Sequence, residues 1–453
     1  MTGKNFRSDN VAPVAADIMA AISQPNHGAA NAYGEDETTR NLEAVLCELF
    51  EHEVRIHPTA SGTAANCLAL ASLVSSDGTI LCHKDAHIRI AEEGAPATFI
   101  PGVECSAVKG VLGRIDFEAL DYALQELSDP SNAALSLTQV TEWGTVYGID
   151  DIARLTVAAH ERGVRVHMDG ARFANAVAAL GCSPAEATWR AGVDVLSLGA
   201  SKNGALNAEA VVYFDPALTE NAYPKRKRTG HAYSKMRFLS AQLEAYMHDG
   251  LWLALAAAAN SAASRLADGL AAIPGVTLAA PCEANLVFAK MPEAVLAGLA
   301  VEEISFAAWR GKNLTRLVTS FATIDTDVDA LLAAARTKGI TSAVAGQADI
   351  LVVPNLDAGN MLAKQLTYIS HAEAAGQLVA NADLDRDVEP QQMLRVRVHC
   401  QVLDPGNTVA VHPVDGVASA AANADHLNLG QPIYLGSLVR SKHVHNFCAP
   451  FAL

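Results

Sequence analysis

Apolar positions follow two rhythms over the first 250 residues. Compact runs at 79–82, 135–142, 164–169, 195–198 and 210–214 read as strands, and the spacing over 149–162 reads as a helix. Alternating strands and helices predict a mostly parallel sheet covered on both faces. In such sheets ligands sit at the carboxyl ends of the strands. After residue 250 the rhythm changes. Leu251 to Ile273 reads as one long Ala-rich helix stopped by Pro274-Gly275. Short strands follow at 276–279, 285–289 and 315–321, and a helix over 327–338 ends at Gly339. The expected organisation is a large α/β domain over 1–250 with an N-terminal arm, a small α+β domain over 251–340, and an atypical tail over 341–453. The tail is well patterned from 349 to 380. From Asn381 onward periodicity fades and no element is placed.

Composition narrows the function classes. Half of the 453 residues are hydrophobic and mean hydropathy is +0.16, so a large core is available and global disorder is excluded. The net charge of −16 disfavours nucleic acid or an anionic membrane as the main partner. No run approaches the ~20 apolar residues of a membrane span, and Met1 to Asn5 does not open a signal peptide. None of the eight cysteines forms a CxxC pair, which reads as reduced thiols in the cytoplasm, with no structural zinc.

Four short segments carry candidate chemistry. Ser197-Leu198-Gly199-Ala200-Ser201-Lys202-Asn203-Gly204 ends a strand in small residues with a lysine in the turn. Such a lysine suits a Schiff base with a cofactor aldehyde, although a single lysine in a turn is ordinarily a solvated side chain. His167-Met168-Asp169-Gly170-Ala171-Arg172 places an acid and an arginine at another strand end. The acid suits a protonated pyridine nitrogen or a helix N-cap, and the guanidinium fork suits a carboxylate. Pro58 to Asn66, with Ser61, Gly62 and Thr63, opens an apolar helix and reads as an anion site or a plain cap. Asp85-Ala86-His87-Ile88 offers an imidazole for ring stacking or proton transfer, or a structural histidine. The order of the set gives it weight: each member lies near a strand end, where one pocket would form.

In this order the residues resemble the low-specificity L-threonine aldolases. The likeness begins at Phe6-Arg7-Ser8-Asp9-Asn10 and takes in Tyr33-Gly34-Glu35-Asp36, Ser61-Gly62-Thr63, Asp85 to Ile88 and Glu93-Gly94-Ala95-Pro96. It continues through His167 to Arg172 and Ser201 to Gly204, and ends at Thr315-Arg316-Leu317-Val318-Thr319. The resemblance implies an aspartate-aminotransferase-like fold (fold type I) that binds pyridoxal 5'-phosphate. It implies that Lys202 forms the Schiff base, Asp169 pairs with the ring nitrogen, His87 stacks on the ring, and Ser61, Gly62 and Thr63 bind phosphate. It further implies that Ser8, Arg172 and Arg316 hold the substrate carboxylate. Tyr33 is expected in a loop reaching a neighbouring subunit's site, which implies a homodimer or homotetramer. The cluster Lys225-Arg226-Lys227-Arg228 reads either as a phosphate contact across that interface or as a solvated basic loop. Many family members carry a second histidine where this chain has Glu142, which bears on how the β-hydroxyl is recognised.

The implied reaction is cleavage of a small-molecule β-hydroxy-α-amino acid to glycine and an aldehyde, with His87, Glu142 or a held water as base. Two alternatives stand beside it. One is β-elimination on the same fold, giving pyruvate and ammonia. The other is a cofactor-binding protein made inactive by its tail. The tail segment Asp349 to Leu366 is similar, as far as about Val379, to the phosphate acetyl/butyryltransferases. So short a piece of a large domain carries no activity over, and an acyl-phosphate or coenzyme A module rests on it alone. A gene fusion or a misread coding end, with a poorly ordered tail, is expected. His443-Val444-His445 is too small a set for a metal site.

Overall fold

The computed structural model describes residues 4–309 and 314–338, together with four short strands further along. The chain divides into two compact units, Met1–Gly339 and Ile340–Leu453.

The first unit is built on a seven-stranded sheet. Its strands are β1 (Arg55–Thr59), β2 (Thr79–His83), β3 (Glu104–Val108), β6 (Ala133–Thr138), β7 (Arg165–Gly170), β8 (Val195–Gly199) and β9 (Glu209–Tyr213), with a small hairpin of β4 (Gly110–Val111) and β5 (Arg114–Ile115) set apart. The order is β1-β9-β8-β7-β6-β2-β3. Strands β3, β2, β6, β7 and β8 run parallel, and β9 is antiparallel to both its neighbours. The expected mostly parallel sheet is present.

Both faces are covered, so the central strands read as continuous apolar runs. In β8, Leu196 and Leu198 join one core with Val166, Met168, Phe173 and Trp252, while Val195 packs with Val211, Leu68 and Tyr213 in another. The helix Gly62–Leu73 lies across the sheet and is buried from Ala64 to Ser72, hence its small apolar residues. The helix Leu251–Ala271 leads to a second sheet, in the order β10-β11-β13-β12. Its strands are β10 (Thr277–Leu278), β11 (Leu286–Lys290), β12 (Ala307–Ala308) and β13 (Leu314–Val318), and the helix Asp325–Lys338 follows. Val287, Leu317, Val328 and Leu331 share a core there.

Two details shape the strand ends. A Cβ on Gly199 would lie 2.6 Å from the Ala171 carbonyl, so only glycine lets the turn after β7 close onto the end of β8. The run expected as a strand over 135–142 leaves the sheet at Thr138. The chain then turns, with Gly144 N–H bonding the Thr141 carbonyl, which carries Glu142 off the sheet.

In the second unit the described strands are β14 (Val352–Val353), β15 (Ala375–Ala380), β16 (Leu394–His399) and β17 (Ile433–Leu435), antiparallel in the order β14-β16-β15-β17. Strands β16 and β17 lie where no element was expected. The expected disorder of the tail and the pair His443 and His445 fall outside the described residues.

Candidate active site

The turn after β8 presents Lys202. Asn203 fixes this turn from below: its amide bonds the Tyr246 hydroxyl at 2.7 Å and the Trp252 carbonyl at 2.8 Å. Glu209 accepts the Ala200 N–H at 2.9 Å. The Lys202 amine is only half-buried and bonds to nothing among the described residues.

Strand β7 presents Asp169, which is 2% exposed. One oxygen accepts the Ala171 N–H at 3.1 Å and the other accepts the Asn66 amide at 3.1 Å. The helix-cap alternative for Asp169 does not hold: Arg172 occupies that position, and no side chain caps the helix Phe173–Leu180. Asn66 also donates to Glu92 at 3.0 Å, and the same Glu92 oxygen lies 2.8 Å from His87 Nδ1. Asp169, Asn66, Glu92 and His87 thus form one chain of polar groups, buried as far as Glu92 and one-third exposed at His87. The Glu92 bond holds the His87 imidazole above its usual range, against the effect of burial. A carboxylate on Nδ1 places the proton there and leaves Nε2 with the lone pair.

Arg172 is engaged within the fold. Its Nε and one Nη bond the two Asp9 oxygens at 2.6 and 2.9 Å, and both residues are buried. Asn285 adds a bond to Asp9 at 3.0 Å. The fork expected to clamp a substrate carboxylate is closed on Asp9, and a single Nη remains for a ligand. Ser8 caps the short turn that delivers Asp9, accepting the Asn10 N–H at 3.2 Å. Arg316, on β13, has its guanidinium 5.6 Å from the Trp309 ring, and its buried Nε bonds to nothing among the described residues. Glu142 lies within electrostatic reach of His87, Arg172 and Arg316. The structure therefore brings the expected Glu142 together with both arginines.

Ser61 caps the helix Gly62–Leu73 through a bond from Ala64 N–H at 3.3 Å. The first helical N–H groups, those of Gly62 and Thr63, have no intrahelical acceptor, and a Cβ on Gly62 would meet open space. The cap reading holds, and the unpaired N–H groups beside open space are what an anion would require.

The basic cluster is the last turn of a helix, Thr219–Arg228, not a loop. Lys225 caps the carbonyl of Ala71 at 2.6 Å, and Arg226 bonds the Tyr33 carbonyl at 3.1 Å, so Lys227 and Arg228 are left exposed. Tyr33, at φ 62°, is 52% exposed.

A family model described as Beta-eliminating lyase matches residues 5–294. The chain belongs to the beta-eliminating lyase family. This lyase is 38% identical over 336 residues to a low specificity L-threonine aldolase of Pseudomonas aeruginosa, covering 74% of this chain and 96% of that one. It shares its fold with a threonine aldolase of Leishmania major at a TM-score of 0.68 and 23% identity, over 74% of this chain and 99% of that one. An aspartate aminotransferase of Rhodobacter sphaeroides matches at a TM-score of 0.54 and 17% identity, over 74% and 92% of the two chains. The fold is the aspartate-aminotransferase type of the pyridoxal phosphate enzymes. A second family model, Phosphate acetyl/butaryl transferase, matches residues 323–383 of the lyase, beginning earlier than the likeness read at Asp349.

Sequence reading missed Asp9, Asn66 and Glu92 as functional groups. Asp9 and Asn66 stand inside segments that were singled out. Glu92 is one of two adjacent glutamates, and no spacing marks it as the partner of His87.

Proposed function

We propose that this chain cleaves L-threonine and related β-hydroxy-α-amino acids to glycine and an aldehyde, using pyridoxal 5'-phosphate. The observation that carries the reading is the hydrogen-bonded chain Asp169–Asn66–Glu92–His87, with the uncommitted Lys202 amine on the neighbouring strand end. The residues fit the cofactor. Open space at Gly62, over unpaired helical N–H groups, suits a phosphate. Asp169 is a buried carboxylate that no cation bonds among the described residues, which suits a protonated ring nitrogen.

When bound, the cofactor supplies a conjugated ring that accepts the electron pair released as the Cα–Cβ bond breaks. Lys202 anchors it, and Asp169 keeps positive charge on its ring. Arg316 orients the substrate carboxylate through its unpaired guanidinium nitrogen, with the remaining Nη of Arg172 beside it. His87 Nε2 takes the β-hydroxyl proton. Glu92 holds Nδ1 in place and stabilises the imidazolium that forms. Glu142, within electrostatic reach of both arginines, offsets part of their charge. The reading extends to a homodimer or homotetramer in which Tyr33, Lys227 and Arg228, all exposed here, reach a second copy's site. A cytoplasmic location suits six free cysteines among the described residues.

His87→Phe tests the base, because it keeps a ring face and removes Nε2. Aldehyde release falls by about 10²–10⁴-fold while the visible absorbance of the bound cofactor stays. Undiminished release overturns the role of His87. Glu92→Gln weakens the bond that raises the imidazole, so the acid limb of the pH–kcat profile moves to lower pH. A limb that stays in place contradicts the pairing.

A further inference from the structure

Glu209 is a buried carboxylate that the mechanism above does not use. It is 5% exposed on a strand whose other residues are apolar. The antiparallel register sets it opposite Gly199 on β8 and Thr59 on β1, against the turn that carries Lys202. One oxygen accepts the Ala200 N–H at 2.9 Å, and Ser201 bonds the carboxylate through both its backbone and its hydroxyl. Lys202 is the cation that acts on it. The other titratable group facing it is Tyr246, from the helix Arg237–Met247, whose hydroxyl is taken by Asn203. A neutral acceptor would anchor the turn without the desolvation cost of a buried charge. What an ionisable group adds here is a field on Lys202.

We propose that Glu209 is the positioning residue for Lys202: its carboxylate fixes the lysine-bearing turn through Ala200 and Ser201 and sets a negative charge against the lysine nitrogen. Burial pushes the Glu209 carboxyl up to about 7 from its ordinary 4.5, outweighing the opposing effects of Ser201 and Lys202. The group therefore gains its charge near neutral pH. This inference rests on the proposed role of Lys202.

The test is a pH titration of the visible absorbance of the pyridoxal phosphate-loaded protein. Glu209→Gln keeps an acceptor for the Ala200 N–H and loses the charge. Its midpoint for proton loss from the lysine nitrogen falls by about one unit, a tenfold loss of proton affinity. Ser201→Ala removes a bond to the carboxylate and lowers the midpoint by less. Melting of the cofactor-free protein is a second readout. Between the ordinary 4.5 and about 7, native Glu209 keeps a proton that the unfolded chain has lost. Its contribution is therefore full at low pH and is lost as pH rises through about 7, and Glu209→Gln removes that decline. A wild-type band with the same midpoint in both variants overturns the inference. No band in the wild type overturns the role of Lys202, and this inference with it.

Discussion

Lys202→Ala lowers threonine-dependent aldehyde release by at least about a thousandfold while leaving the melting temperature close to that of the wild type. The two halves of this expectation come from different residues. The turn is held by Asn203, by Glu209 on Ala200, and by the close packing of Gly199 on Ala171. The Lys202 amine contributes no bond to that scaffold, so truncation leaves the fold intact and removes the group that anchors the cofactor. Assay of aldehyde with parallel calorimetry checks both. A variant that keeps most of its turnover places the chemistry elsewhere. A variant that loses turnover by unfolding shows that Lys202 supports the turn.

Asp9→Ala has the largest expected effect on stability. It leaves the Arg172 guanidinium buried with neither of its two carboxylate bonds, and breaking a buried pair from one side costs about 3–5 kcal/mol. The loss is also felt at a distance in sequence, because Asp9 ties the N-terminal arm to the turn after β7 and, through Asn285, to the residue before β11. Denaturant unfolding of wild type and variant measures it. The pair has a pH signature as well. Burial alone would raise the Asp9 carboxyl, but Arg172, with Lys202 and Asn285, outweighs burial and holds it below the ordinary 3.8. The stability it contributes is present above 3.8 and is lost as pH falls through the depressed native value. Wild type and Asp9→Ala therefore converge in acid. A constant gap down to the acid transition would contradict the ion pair.

The sheet was legible where burial on both faces makes a strand continuously apolar, as in β2, β7, β8 and β9. The edge strands were not. In β1 a proline at position 58 and an exposed Arg55 break the pattern, and β3 alternates only weakly because much of it faces solvent. Strand β16 was readable in principle: Leu394, Val396 and Val398 alternate with Arg395, Arg397 and His399. Strand ends announced Lys202, Asp169 and His87, since polar groups after apolar runs stand out. Their supports did not. The bonds from Asp9 to Arg172 and from Asn66 to Asp169 join segments more than a hundred positions apart, and only the closed sheet brings them together. That is why Arg172 read as a free carboxylate clamp when its fork is mostly taken.

Product identity separates aldol cleavage from elimination. The wild-type protein, loaded with pyridoxal phosphate and given L-threonine, is analysed for all small-molecule products at once. Glycine and acetaldehyde in equal amounts are the predicted result, since His87 takes the hydroxyl proton and the Cα–Cβ bond breaks. A 2-oxo acid with ammonia would contradict it, and would mean that the same lysine and acid drive elimination.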